Sequence, residues 1–133
     1  MGRLMSVSLT EQAVRERRKT VTRRLGWWRG DRGLLLPGDD LTLCRKVMGL
    51  KPGEKVERIC TVTVASVTRE VLRDGITDED VRREGFGPET CPEWWSEENG
   101  WTPSLWFVQF FTESMRCDTD TEVTRIEWRY QDA

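Results

Sequence analysis

The sequence predicts an α+β fold in which an antiparallel or mixed sheet curls into a small barrel flanked by two or three helices. Two stretches are typical of strands: residues 56–70 are rich in Val, Ile and Thr, and residues 121–130 alternate apolar and polar side chains. Strands and helices do not alternate as in βαβ units, which argues against a doubly wound sheet. We expect residues 1–133 to form one domain, since a chain of this length can bury a single core.

The first half of the chain is expected to contain short elements separated by glycine-rich turns. A helix begins after Thr10, whose hydroxyl can cap it, and Glu11 suits the positive end of the helix dipole. The basic residues from Arg15 to Lys19 suit the negative end. The elements expected here are a strand over 5–10, a helix over 11–18, a loop over 26–33, a strand over 41–47 and a turn over 49–55.

The second half is expected to hold two helices before the closing strand. A short helix over 76–86 opens with Thr77 as N-cap and Asp80 three residues later, which resembles a capping box. A Trp-rich, turn-rich insertion over 91–101 follows, and the next helix begins at Thr102-Pro103. That helix carries an apolar stripe at helical spacing, which we assign to the core: Phe107, Phe110, Phe111 and Met115.

The closing strand is expected to be half-buried, because its alternate residues divide into two faces. One face holds Thr124, Ile126, Trp128 and Tyr130, and the other holds Arg125, Glu127 and Arg129.

Charge is unevenly distributed along a chain whose formal net charge is only −2. Residues 15–32 contain eight Arg and Lys but only two acidic residues, whereas residues 74–98 contain nine acidic residues and two arginines. A local basic patch on an acidic body predicts a focused anion site rather than a general nucleic-acid coat.

The composition excludes several classes of protein. Histidine is absent, which excludes histidine metal sites and catalysis by Ser-His-Asp or Cys-His arrangements. The four cysteines have no CxxC spacing, so we expect no metal and no cofactor. No apolar run approaches the ~20 residues that span a bilayer. The polar N-terminus is unlike a signal peptide, so we expect a cytoplasmic protein with reduced thiols and no membrane contact.

The segment "RRKTVTRRLGWW" at 17–28 is the strongest candidate for function, because five cations crowd around two threonines and precede two tryptophans. The helix dipole accounts for part of this charge but does not extend to Arg24. Arginines at such a site can contact phosphate or a base edge, and tryptophans can stack on an unpaired base. The candidate binding residues are Arg18, Arg23, Arg24, Trp27, Trp28 and Arg29. The alternative is structural, with solvated or paired arginines and a tryptophan plugging the barrel mouth.

Five motifs in order resemble the ASCH domain family: "KTVTRR", "LLPGDDL", "MGLKPGE", "ITDEDVRREGF" and "TRIEW". These are small PUA-like β-barrel proteins of bacteria and their phages, and the resemblance runs from about residue 6 to 130. It implies a cleft beside the first helix, at the K-T-x-T-x-R segment, and a role in RNA binding.

Some small members of that family remove the acyl group from N4-acetylcytidine nucleosides, using a lysine, a threonine three positions later and a distant glutamate. The matching positions here hold Lys19, Thr22 and Glu84, and Arg24 matches a further arginine. In this hypothesis Thr22 attacks the amide, Lys19 acts as its base, and Glu84 shuttles a proton or orients Lys19. The structural alternative makes Lys19 a helix-end cation and Glu84 its salt-bridge partner.

We therefore predict recognition of RNA or a modified nucleoside in a basic cleft at the barrel mouth. The first alternative is an N4-acylcytidine-type amidohydrolase that uses the same residues. The second is a phage-type protein that binds a host protein through the tryptophans of the insertion, since aromatic residues anchor interfaces. The oligomeric state is left open.

Overall fold

A computed structural model describes residues 3–87, 100 and 102–131. Its sheet is mixed and curls into a half-barrel, so the predicted α+β class with a curled sheet is confirmed, with four α-helices among the described residues where two or three were expected. The strands are β1 (Arg3–Ser6), β2 (Val21–Arg24), β3 (Trp28–Arg29), β4 (Arg32–Gly33), β5 (Asp40–Cys44), β6 (Arg58–Val71) and β7 (Glu122–Tyr130). The α-helices are α1 (Glu11–Arg15), α2 (Leu72–Gly75), α3 (Asp78–Arg83) and α4 (Pro103–Met115).

The main sheet has the strand order β1-β5-β6-β7-β2. β1 pairs with β5 in parallel, and the other neighbours are antiparallel. The two strands at the edges of this order, β1 and β2, face each other across the seam of the curled sheet, where Arg24 Nη2 donates to the Ser6 carbonyl oxygen over 2.7 Å. This seam positions the candidate site.

The apolar side chains form two clusters. One fills the barrel and includes Leu41, Val62, Ile126 and Trp128, which come from β5, β6 and β7. The other joins α2, α3 and α4 to the start of β7 through Leu72, Val81, Trp106, Phe107, Phe111 and Val123. α4 therefore packs against the start of β7, beside the seam.

Most expected elements are present with shifted bounds. The long strand is β6, and its register shifts between Val64 and Ser66. In β7 the face containing Thr124, Ile126 and Trp128 is buried, as its alternation predicts. Thr77 accepts from the Asp80 amide and Thr102 from the Leu105 amide, so the predicted N-cap at Thr77 and the predicted helix start at Thr102-Pro103 are confirmed.

Five local predictions are wrong. Ser8–Thr10 form a turn of 3-10 helix, which ends the first strand at Ser6, and Thr10 makes no side-chain cap bond. The first helix stops at Arg15, because the chain turns through a positive φ at Arg17. The glycine-rich loop contains the β3–β4 hairpin. Met115 is 45% exposed, so that end of the apolar stripe lies outside the core.

The described residues test other predictions only in part. Most of the Trp-rich insertion, residues 91–99 and 101, lies outside them. Cys44, Cys60 and Cys117 are free thiols. Within the described ranges no helix is long and apolar enough to cross a membrane, and no cluster of potential metal ligands occurs.

Candidate functional site

A cleft of about 160 Å³ lies at the seam beside β2. One wall is polar and the other is apolar. Its lining includes the polar residues Ser6, Ser8, Thr10, Lys19, Thr22, Arg23, Arg24 and Glu84, and the apolar residues Val7, Leu9, Phe86, Phe107, Phe110, Phe111 and Met115.

Lys19 is held in the polar wall by its own backbone. Its amide donates to the Ala13 carbonyl at the end of α1, and its carbonyl oxygen accepts from Trp128 Nε1 and from the Tyr130 hydroxyl. The side chain is 2% exposed, and Nζ donates to the Glu84 backbone oxygen over 2.6 Å. Burial, which penalises the charged form, lowers the pKa of Lys19 to about 8.

Glu84 reaches the cleft from the end of α3. Gly85, which follows it, has a φ of 97° and lies so close to α1 that a Cβ there would be 2.8 Å from the Ala13 Cβ. Glycine is therefore required for this approach, and it brings Glu84 against β2. The Glu84 carboxylate accepts from the Arg23 backbone amide over 3.2 Å and from Arg23 Nη1 over 2.9 Å. Burial raises its pKa.

Thr22 and Arg24 share one face of β2, since side chains alternate along a strand. Arg24 Nε donates to Thr22 Oγ1 over 3.2 Å, and Nη2 spans the seam to β1. Burial lowers the pKa of Arg24. Arg24 makes no ion pair with the described carboxylates.

Arg23 lies between Thr22 and Arg24 in the sequence, and carboxylates surround its guanidinium. Its side chain is 0% exposed and pairs with Glu70 over 2.7 Å, Asp80 over 2.5 Å and Glu84 over 2.9 Å. Burial lowers the pKa of Arg23, but the neighbouring carboxylates raise it by more, so the net shift is upward. Arg23 therefore joins β2 to β6 and α3, and its guanidinium has no open side for a phosphate.

The structure brings together five of the predicted residues: Lys19, Thr22, Arg23, Arg24 and Glu84. Lys19 contacts the Glu84 backbone oxygen, not its carboxylate, which differs from the pairing expected from sequence.

The other four predicted residues are absent from the described lining of the cleft. Arg18 is exposed and pairs with Glu16 over 2.7 Å, and Arg29 is exposed on β3. Trp27 packs against the barrel core, as the plugging alternative expects. Trp28 is half-buried beneath Arg69, whose guanidinium lies 5.9 Å from its ring.

Sequence reasoning missed the apolar wall. Phe86 lies among the α4 aromatic side chains, with ring centroids 5.2 Å from Trp106 and 5.4 Å from Phe110. The signal was present in the α4 stripe, whose residues we assigned wholly to the core. Phe110, on that stripe, is only partly buried.

The cleft therefore combines hydrogen-bond donors with a cluster of aromatic side chains, in which the Phe86 and Phe110 rings meet at 62°. The Arg24 guanidinium can stabilise negative charge at Thr22 Oγ1, because it donates to that oxygen. A lysine with a pKa near 8 is partly neutral at neutral pH and can accept a proton.

No family model and no curated protein matches the sequence. Two solved structures do share its fold. An ASCH domain from Lactobacillus crispatus JV V101 is similar over 96% of this chain and 78% of its own, with 13% identity and a TM-score of 0.53. The chain has the fold of an ASCH domain. A DUF984 protein from Enterococcus faecalis V583 is similar over 98% of this chain and 80% of its own, with 14% identity and a TM-score of 0.56. The resemblance seen in the sequence is thus confirmed at the level of the ASCH fold.

Proposed function

We propose that the cleft recognises a modified nucleoside or an unpaired base of RNA. The observation that carries this proposal is the convergence of Lys19, Thr22, Arg24 and Glu84 on one cleft at the barrel seam. These positions lie up to 65 residues apart in the sequence. They are also the positions that the ASCH resemblance implies.

The two walls suit a nucleobase. Its ring can stack on one of Phe86 and Phe110 and meet the edge of the other, since these two rings are set at 62° and aromatic side chains stack on bases regardless of sequence. Its carbonyl and ring-nitrogen acceptors can bond to Lys19 and Arg24 on the opposite wall. Asp80 and Glu84 neutralise Arg23, which removes one cation that a long RNA strand could use. This balance favours a single nucleoside over a polymer.

The test is titration with cytidine, N4-acetylcytidine and a single-stranded RNA oligomer at 50 and 300 mM salt. We expect saturable nucleoside binding that changes less than threefold with salt, because counterion release needs several phosphate contacts. Arg24→Ala should weaken binding at least tenfold. The matched control is Arg45→Ala, which removes an exposed arginine outside the cleft lining. Strong salt dependence would identify an RNA polymer, and no binding of any of the three would refute the proposal.

The second candidate function is hydrolysis of an N4-acylcytidine-type amide. It is favoured by the contact of Arg24 with Thr22 Oγ1 and by the lowered pKa of Lys19. Thr22 Oγ1 would attack the carbonyl carbon while neutral Lys19 takes its proton. The C–N bond breaks, the proton passes to the departing amine, and the acyl group remains as a threonine ester. Water then cleaves the ester and releases the carboxylic acid.

Incubation with N4-acetylcytidine tests this candidate by the appearance of cytidine. Thr22→Val keeps the shape of the side chain and removes the hydroxyl, so it should abolish turnover while substrate still binds. Lys19→Met should abolish turnover as well. Turnover that survives in Thr22→Val would exclude the threonine ester, and absence of turnover in the unmodified protein would leave recognition as the function.

Binding of a host protein through the Trp-rich insertion remains a hypothesis from the sequence.

A further inference from the structure

Two cations of the cleft, the buried Lys19 and the partly buried Arg24, have no carboxylate partner of their own. Lys19 Nζ bonds to a backbone oxygen, and Arg24 bonds to the Ser6 backbone oxygen and to a hydroxyl. Neither makes an ion pair with a described carboxylate. The Glu84 carboxylate is near enough to act on both, but its hydrogen bonds from the described residues come from Arg23.

Such an arrangement is costly, because a buried charge loses its hydration and recovers the loss only from an opposite charge or strong hydrogen bonds. Arg23, in contrast, is a buried cation whose charge is compensated, because three carboxylates surround it. The carboxylate of Glu84 is thus shared electrostatically by three neighbouring cations, Lys19, Arg23 and Arg24. The cleft retains positive charge that an anion can neutralise.

The opposite wall excludes a hydrated inorganic anion as the whole ligand. It is formed by Phe86, Phe107, Phe110 and Phe111, and its open end is bordered by Leu9 and Met115. Leu9 is 70% exposed. A ligand that fills this space must bring apolar surface, preferably planar, next to its charged group.

We propose that the cleft binds its ligand through an anionic group, a carboxylate or a phosphate monoester, held by Lys19 and Arg24 and carried on a planar apolar body that lies against Phe86 and Phe110. The proposal uses the same cleft as the proposed function but does not depend on nucleoside recognition. It goes further by assigning a negative charge to the ligand and by fixing which wall meets it. Arg24 supplies a planar fork for two oxygens, and Lys19 supplies a point charge.

Four probes separate the two parts of the ligand. Benzoate and phenyl phosphate have both the charge and the ring, benzyl alcohol has the ring alone, and acetate has the charge alone. Calorimetric titration should give dissociation constants for benzoate or phenyl phosphate at least tenfold lower than for benzyl alcohol or acetate. The tighter of the two aromatic anions identifies the anionic group. Equal affinity for benzoate and benzyl alcohol would overturn the proposal.

Substitutions in the cleft test where the aromatic anions bind. Arg24→Gln and Lys19→Met should each weaken the tighter aromatic anion at least tenfold, while Arg45→Gln, an exposed cation outside the described cleft lining, should leave it unchanged. Phe110→Ala should weaken aromatic anions but not acetate. Folding of each variant is checked by circular dichroism, and equal losses in Arg45→Gln and Arg24→Gln would refute the site.

The outcomes also separate this proposal from the preceding one. If N4-acetylcytidine binds and the aromatic anions do not, this inference fails and nucleoside recognition stands. If an aromatic anion binds at the cleft and no nucleoside or RNA does, nucleoside recognition fails and this inference stands.

Discussion

Arg23 and Arg24 are consecutive residues of β2 and have opposite surroundings. Arg23 meets Glu70, Asp80 and Glu84, whereas Arg24 meets a backbone oxygen and the Thr22 hydroxyl. Register explains the difference. Arg23 lies opposite Arg125 of β7, and both guanidiniums bind Asp80 of α3. Arg24 lies opposite Thr124 and therefore faces the other side of the sheet.

This comparison separates structural charge from functional charge. A basic segment looks uniform in sequence, yet the alternation of the strand sends one arginine to a network of acids and the next to a cleft. Charges that stabilise the fold are paired, and charges kept unpaired at some cost in stability are candidates for binding. The two sides of β2 should therefore respond differently to substitution.

The largest effect is expected from Arg23→Met. The substitution leaves three buried or half-buried carboxylates without their shared cation, so the free energy of unfolding should fall by about 3–5 kcal/mol. Urea denaturation at pH 7.5 measures it. Arg24→Met is the matched variant on the other face and loses only two hydrogen bonds, so it should cost less than about 2 kcal/mol. Equal costs would contradict the division of β2 into two faces.

A gain in stability is expected from Lys19→Met, because methionine fills similar space without a buried charge. At pH 7 the gain should be about 1–3 kcal/mol. The folded protein lowers the pKa of Lys19 to about 8, below the value of 10.5 for a free lysine. Between these values the unfolded chain binds more protons, so the wild type becomes more stable as pH rises.

The advantage of Lys19→Met should therefore shrink from pH 8 to 10.5. The measurement is the urea midpoint of the variant and of the wild type at pH 7.5, 9 and 10. Both proteins contain the same cysteines and Tyr130, so the titration of these groups largely cancels in the difference between the two midpoints. A difference that stays constant over this range would mean that Lys19 titrates as a solvated lysine.

The fold was predictable to the extent that local chemistry determines it. Hydroxyl caps at Thr77 and Thr102, the run of β-branched residues in β6 and the alternation in β7 depend on near neighbours. Thr10 has the composition of a cap, but the 3-10 turn that contains it places the backbone outside cap geometry. The local sequence does not distinguish this backbone conformation from that of a cap.

The site was predictable only through the resemblance. The motifs supply Lys19, Thr22 and Glu84, but residue spacing does not tell which atom of Glu84 meets Lys19. The network around Arg23 joins residues of β2, β6 and α3, so its partners depend on the sheet register. The cleft wall of Phe86 and Phe110 was hidden because apolar residues at helical spacing usually belong to the core.

The smallest effect is expected where a similar ionic geometry involves exposed arginines. Glu11 accepts from Arg45 over 2.7 Å and Arg15 over 2.8 Å, much as Asp80 accepts from Arg23 and Arg125. Hydrogen bonds from Arg45 and Arg15 lower the pKa of Glu11 to about 2. Water and salt screen this cluster, and many exposed ion pairs contribute nothing measurable to stability.

Glu11→Gln should therefore leave the urea midpoint unchanged within error at 0.15 M salt, whereas Asp80→Asn, which disturbs the buried network, should lower it clearly. Each substitution removes one carboxylate charge. Glu11 pairs with two exposed arginines, whereas Asp80 pairs with three arginines, one of which, Arg23, is fully buried, so the contrast tests what burial of the partners adds. A loss in Glu11→Gln as large as in Asp80→Asn would show that the geometry of an ion pair, rather than its burial, determines its contribution. The distinction drawn between Arg23 and Arg24 would then lose its basis.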